Sequence, residues 1–291
     1  MQIISVDEER CALCGACIAV CPSRLLKEAD GSIKIIDPAQ CILCGHCKAV
    51  CPEDAFQFPG LEDAEFAPVP KKATLPSPEG LMALFRSRRS TRIFQKQPVE
   101  REKIERIMEA GRFAPTGGNR QPLRYTVITT PSAIEIVRGM TVDTLVGQAD
   151  RIKKAVEKKR ESGEALTVGY KLQEIYAGIW REMAKLNSKG VDVLFFHAPA
   201  LIVCHGNPAR TGPLDVDSGL SGMQMALMAE VLGLGTCFCG FLVMAAEANP
   251  ELKKTMQIPK DHKVILSFML GYPDVTYLRL VSRKPARVQW L

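Results

Sequence analysis

The sequence predicts an α+β protein in two unequal parts, a small cysteine-rich front and a larger body that mixes helices with strands. Three observations carry that expectation. Eight of the 11 cysteines lie at or before Cys51, a proline-rich acidic stretch follows over 59–78, and beyond it short apolar runs alternate with stretches of helical periodicity. Hydrophobic residues at 46% and charged ones at 24% belong to an ordinary globular chain and exclude disordered, collagen-like and coiled-coil classes. The expected domains are 1–60, a proline-rich linker over 61–78, and 79–291.

The front is an internal duplication. Cys11, Cys14, Cys17 and Cys21 precede Pro22 in a C-x2-C-x2-C-x3-C-P run, and Cys41, Cys44, Cys47 and Cys51 precede Pro52 in the same run thirty residues later. Gly15 matches Gly45, and Ala19-Val20 matches Ala49-Val50, so the repeat extends beyond the cysteines. This spacing resembles that of bacterial two-cluster ferredoxins, in which the fourth cysteine of each run crosses to the other cluster. The resemblance implies two [4Fe–4S] clusters, one held by Cys11, Cys14, Cys17 and Cys51 and the other by Cys41, Cys44, Cys47 and Cys21. Zinc and structural disulfides are the weaker readings of eight cysteines in two such runs. His46 is read as a bystander, because cysteines already supply every corner.

Pro59, Pro68, Pro70, Pro76 and Pro78, with Glu62, Asp63 and Glu65, predict an extended tether. Pro98 and Val99 then lead into a helix with Ile104, Ile107 and Met108 on one face, ending near Gly111. Tyr125–Thr129, Ala200–Cys204 and Val264–Leu270 read as interior strands. Alternating charges and then Leu172, Ile175, Tyr176 and Ile179 at helical spacing make about 141–196 a surface helical insertion, either a lid or a solvated hairpin. Met225 to Ala246 is apolar enough to raise a membrane span, but Glu230 and three glycines interrupt it, so a buried helix followed by a turn at Thr236–Cys239 is expected. Gly219, Ser221 and Gly222 would allow a second helix, from this chain or a second subunit, to approach closely.

Charge is uneven: residues 1–70 hold 11 acidic and 5 basic side chains, and the remainder 21 and 33. Arg86, Arg88, Arg89 and Arg92 crowd around Ser90 and Thr91. No aromatic residues interleave with them, which disfavours nucleic acid and favours a phosphate-bearing cofactor. Arg88-Arg89-Ser90-Thr91-Arg92, then Ala114 to Pro122, then Asp217 to Gln224 leading through Leu232 to Gly240, then Gly271-Tyr272-Pro273 with Arg279 downstream, resemble in the same order the segments of the nitroreductase family of FMN enzymes.

That resemblance covers about 79–291 and implies an α+β FMN domain with a mixed or antiparallel sheet surrounded by helices. Residue by residue it implies that Arg88 and Ser90 meet the FMN phosphate, with Arg279 or Arg283 opposite and Arg89 beside them. Arg92 would face the pyrimidine edge, and Asn119 the ring or ribityl chain, with Pro115, Thr116 and Gln121 around it. The backbone at Cys239 and Gly240 would approach N5. The family often has tryptophan where this chain has Leu123 and Phe238, which puts the shape of the substrate pocket in question. It also implies a homodimer with FMN at the interface and Met223–Leu232 in the seam.

The expected function is an FMN-dependent oxidoreductase. Two clusters relay single electrons to FMN, which reduces a small acceptor, a quinone, nitroaromatic or similar, by two-electron or hydride transfer. A ferredoxin or flavodoxin, or NAD(P)H, is the expected donor. Two alternatives stand beside it: a flavoprotein that oxidises NAD(P)H or a substrate and exports single electrons through the clusters, and a non-catalytic redox sensor or electron-transfer adaptor. No side chain is assigned a catalytic role, and His197, His205 and His262 are read as structural. Cys204 reads as a small buried hydrophobe. With no secretory pattern before Cys11 and this cysteine content, a reducing cytosol is the expected home, and no membrane or nucleic-acid partner is expected.

Overall fold

The computed structural model describes residues 3–210 and 212–291. The chain divides into two compact units, Met1–Pro76 with Gly118–Arg120, and Ser77–Gly117 with Gln121–Leu291. The first unit holds β1 (Ser5–Val6), α1 (Ala16–Val20), β2 (Leu26–Ala29), β3 (Ser32–Ile35), α2 (His46–Val50) and β4 (Phe56–Gln57). β1 pairs with β4 and β2 with β3, both antiparallel.

The sequence repeat is also a backbone repeat. Leu13 and Leu43 have φ of 49° and 53°, Gly15 and Gly45 70–72°, and Arg24 and Asp54 52° and 48°. Left-handed conformation costs an L-residue about 1–2 kcal/mol and persists where the surroundings fix it. Glycine takes it without that cost, immediately before α1 and α2. The apolar core is lean, built on Ile4, Leu25, Leu26, Ile33, Phe56 and Phe58 around Cys17 and Cys47.

The second unit begins with α3 (Pro78–Ser87), whose N-cap Ser77 Oγ accepts from Gly80 N at 3.0 Å. There follow α4 (Arg101–Arg112), β5 (Arg124–Ile128), α5 (Pro131–Glu161), α6 (Val168–Ser188), β6 (Ala200–Gly206), α7 (Leu214–Val231), β7 (Gly235–Phe238), α8 (Gly240–Ala248), α9 (Pro250–Thr255) and β8 (Lys263–Gly271). The sheet runs β5-β6-β8-β7, every pair antiparallel. β6 is buried throughout, and its alternation sends Ala200 and Ile202 to one face and Leu201 and Val203 to the other. The first face packs on Ile104 and Ile107 of α4 and Met225 and Ala229 of α7; the second packs on α5, α6 and α8. Among the described residues no helix is long and apolar enough to cross a membrane.

Three local expectations change. Thr236–Cys239 is not a turn: Gly235–Phe238 forms edge strand β7, because Thr236 and Phe238 pair with Leu270 and Phe268 while Gly233, at φ 75°, makes the reversal. The helical segment begins at Pro131, ten residues before the predicted insertion, and it is no surface addition. Ile134, Val137, Val142, Leu145 and Ala149 of α5 and Trp180 and Met183 of α6 belong to the main core, where each large apolar side chain contributes about 1.5–3 kcal/mol. Ser221 and Gly222 serve close packing within the chain: Ser221 Oγ lies 2.7 Å from Tyr125 Oη, and a Cβ on Gly222 would meet Leu266 at 2.8 Å.

The His pair has a consequence for acid stability. His205 Nδ1 lies 2.8 Å from His262 Nδ1, and His205 is buried. Burial pushes the His205 imidazole down from 6.5 to about 4, with His262 and Arg124 adding to the effect. The unfolded chain therefore takes up a proton near pH 6.5 that the fold resists until about 4. Stability falls as pH drops through that window, by about 2 kcal/mol between pH 7.5 and 5. Denaturation of wild type and His205→Asn at both pH values checks this, since the variant should lack that increment.

Candidate cofactor sites

In the first unit the eight thiols surround two cavities. Cys11, Cys14, Cys17 and Cys51 line one with Ile33 and Phe56; Cys21, Cys41, Cys44 and Cys47 line the other with Leu25, Leu26 and Phe58. Each cavity thus takes three cysteines from one run and one from the other. Among the described residues no three His, Cys, Asp or Glu side chains gather closely enough for a single ion. Thiols spread around a cavity suit a cube with a thiolate at each corner better than one tetrahedral ion. Burial pushes the Cys47 thiol up to about 12 and raises Cys17 as well. A thiolate there needs countercharge of the kind iron supplies. Ala55 N donates to Cys51 Sγ at 3.3 Å. His46 is exposed, with Nδ1 3.2 Å from the Cys44 carbonyl oxygen.

In the second unit the arginine loop leaves the end of α3 and docks on β7. Thr91 N donates to Thr236 O at 2.9 Å, and Ser90 bridges Thr236 in parallel register. Gly235 makes this possible, because a Cβ there would stand 2.7 Å from Thr91 Cβ. Burial raises the Cys237 thiol, while Arg92, Ser90 and Arg88 act in the opposite direction. Arg88 Nε, Arg89 Nε and Thr236 Oγ1 are buried without a hydrogen-bond partner. Buried guanidinium nitrogens left unpaired at a loop of four arginines fit an anionic ligand.

Arg89 and Arg279 line one cavity of about 410 Å³ with Thr91, Pro273 and Tyr277. The Arg89 guanidinium lies 5.1 Å from the centre of the Tyr277 ring. Arg283 is exposed, donates to Ser282 O at 3.2 Å and does not line that cavity. Thr116 and Gln121 line a different cavity of about 440 Å³ with Glu105, Glu109, Arg112 and Tyr125. Thr116 Oγ1 accepts from Gln121 N at 3.0 Å, and Asp217 Oδ1 from Gly117 N at 3.0 Å. Pro115 is exposed. Asn119, in the segment grouped with the first unit, donates to Ile42 O and Leu43 O at 3.0 and 2.9 Å.

Cys239 is held by Ser267: Cys239 N donates to Ser267 O at 2.8 Å and Ser267 Oγ to Cys239 O at 2.7 Å. Burial pushes its thiol up to about 11. Gly240, the first residue of α8, faces open space, with nothing within 4 Å of a Cβ position. The sequence reading gives Thr91 and Thr236 no role of their own, and it leaves Tyr277, beside Arg279, uncommitted between a proton donor and a packing residue. A threonine within an arginine run was the available signal for Thr91, whereas the pairing of Arg89 with Tyr277 joins segments nearly two hundred residues apart.

These features define a cysteine-rich iron–sulfur module joined to an α+β oxidoreductase domain. Residues 85–272 match the family model of the nitroreductase family, and residues 10–56 match that of the 4Fe-4S dicluster domain. The chain belongs to the nitroreductase family, as a fusion of a 4Fe-4S domain with a nitroreductase-like oxidoreductase domain. It is 28% identical over 212 residues to the nitrobenzene nitroreductase of Ectopseudomonas oleovorans, a match that spans 66% of this chain and 86% of the relative. It is 28% identical over 220 residues to the 4-nitrobenzoate reductase of Nocardioides sp., spanning 70% and 84%. Among solved structures, the fold is shared with a nitroreductase with bound FMN from Bacteroides fragilis (19% identity, TM-score 0.53, 72% of this chain and 98% of that one). It is shared also with one from Desulfitobacterium hafniense with bound FMN (23%, 0.51, 72% and 97%).

Proposed function

We propose that the protein is an FMN-dependent oxidoreductase in which two [4Fe–4S] clusters relay single electrons from a low-potential protein donor toward the flavin, for reduction of a small quinone- or nitroaromatic-type acceptor. The observation that carries this reading is the presence, on one chain, of two four-thiol cavities and an arginine loop with unpaired buried guanidinium nitrogens. Bound FMN supplies the step that converts single-electron delivery into two-electron reduction of the acceptor.

The chain's own residues bind and orient. Arg88 and Ser90, with Arg279 from the far end of the domain and Arg89 beside it, hold the phosphate by charge-assisted hydrogen bonds. Arg92 lends positive charge to the pyrimidine edge, which favours the reduced, anionic flavin. Cys239, fixed by Ser267, and the open Gly240 leave room for the ring's reactive edge.

The functional unit is a homodimer. Val216, Leu220, Met223 and Val231 are 38–66% exposed at helical spacing on α7, an apolar stripe for a second copy. Thr116 and Gln121 line a separate cavity from Arg89 and Arg279, an arrangement suited to a cofactor shared between two copies. Leu220→Asp is expected to lower the solution mass from twice 32.0 kDa to that of one chain and to release flavin, as light scattering and absorbance would register. Unchanged mass and flavin would remove α7 from the interface.

Anaerobic purification with assay of iron, sulfide and FMN tests the assignment as a whole. About eight irons, eight sulfides and one flavin per chain are expected. A protein that folds and carries iron but neither retains nor takes up FMN would defeat it.

A further inference from the structure

The duplication of the first unit breaks around the second cysteine run. Where the first run has Ile18 and Arg24, the second has Lys48 and Asp54. Only 5% of the Lys48 side chain is exposed, and its ammonium reaches Asp54 Oδ1 at 2.5 Å, Asp63 Oδ1 at 3.0 Å and Phe56 O at 3.0 Å. Two carboxylates and a carbonyl thus satisfy a nearly buried cation, and Asp63 lies beyond the repeat, in the segment that follows it. Lys48 Nζ also lies 5.3 Å from the centre of the Phe66 ring, and that ring stacks on Phe58 at 6.2 Å.

The two glycines at the cluster loops differ accordingly. Around Gly15 there is nothing within 4 Å of a Cβ position, whereas the same point on Gly45 lies 2.8 Å from Phe66 Cε1. Phe58 lines the cavity of Cys21, Cys41, Cys44 and Cys47. At the first run Cys14 is exposed, and Leu13 is 38% exposed.

We propose that the segment from Phe58 to Phe66, fastened by Lys48 to Asp54 and Asp63, is a built-in cover over the second cluster, so that the two clusters are chemically inequivalent: that of Cys21, Cys41, Cys44 and Cys47 is shielded, and that of Cys11, Cys14, Cys17 and Cys51 is open to reagents from solution. This rests on the two-cluster reading above. Lys48 is a positioning residue: it touches neither cavity in its own right and acts by holding Asp63 and Phe66 in place. An aromatic ring over the loop glycine excludes water and slows the approach of oxidants and chelators to the iron.

The test uses the full-length holoprotein, purified anaerobically. Iron is counted first: about four per chain instead of about eight would defeat the two-cluster reading and leave no second cluster to cover. With about eight bound, iron release to ferrozine under mild ferricyanide oxidation is expected in two phases of equal size, one at least about tenfold faster. Phe66→Ala is expected to accelerate the slow phase until the two merge, and Phe66→Leu, which keeps apolar bulk over Gly45, to restore much of the separation. Should Phe66→Ala lose iron during purification, Asp63→Asn loosens the same cover while leaving the ring, and the slow phase should again accelerate. A single phase in wild type, or a slow phase unchanged in the variant measured, overturns the proposal.

Discussion

Replacement of Cys47 by serine is expected to remove about half of the iron and to slow donor-driven reduction of the flavin at least about 100-fold. A serine oxygen is far harder to deprotonate than a thiol, and this position is already hostile to charge: burial, with Cys44 and Cys41 adding to it, pushes the thiol up to about 12. A neutral hydroxyl there offers the iron a poor ligand. The first unit should also lose stability, because its buried apolar core rests on Ile4, Leu25, Leu26, Ile33, Phe56 and Phe58. A cross-linking cluster contributes much of what a small core cannot. Iron analysis and reduction kinetics check this, with Cys204→Ala as comparison. Cys204 is fully buried in β6 and lines neither cavity, and its replacement should leave the iron content intact.

Arg88→Ala is the second large effect: FMN affinity should fall about 10- to 100-fold, the equivalent of one charge-assisted hydrogen-bonding group at about 1.5–3 kcal/mol. Arg279→Ala should act in the same direction, and Arg88→Lys should fall between, keeping the charge without the planar fork. Arg283→Ala, which removes an exposed side chain bonded to its neighbour's carbonyl, should change little. The stability of the apoprotein separates a binding role from a structural one. Arg88 Nε is buried and unpaired, so truncation to alanine relieves an unsatisfied group and should leave the unfolding midpoint unchanged or slightly raised. Flavin titration by fluorescence together with thermal unfolding reads both.

Much of the architecture was legible because its signals are local. The two cysteine runs fix their own loops, and left-handed φ at Leu13 and Leu43 and at Gly15 and Gly45 shows that the repeat in sequence is a repeat in backbone. The apolar runs at 125–129, 200–204 and 264–270 became β5, β6 and β8 with ends shifted by a residue or two. What was misread depended on distant partners. Thr236–Cys239 looks like a turn between glycines, yet pairing with Phe268 and Leu270 makes its first residues a strand. Alternating charges along 151–161 suggest a surface insertion, yet they mark only the outer face of a helix whose inner face, from Ile134 to Val156, is core. At the candidate sites, the arginine loop announced an anion, but nothing local brings Arg279 and Tyr277 to Arg89 or seats Thr91 against Gly235. Lys48 gave no functional signal until Asp63 and Phe66 were seen to close on it.

The relay itself is tested most directly by rapid anaerobic mixing of the holoprotein with a reduced ferredoxin or with NADH or NADPH, following cluster and flavin absorbance separately. The proposed function predicts that the ferredoxin reduces the clusters first and the flavin after them, and that the Cys47→Ser protein loses the flavin phase. Reduction of the flavin by a nicotinamide ahead of the clusters, undiminished in the Cys47→Ser protein, would contradict it and make the clusters an exit for electrons.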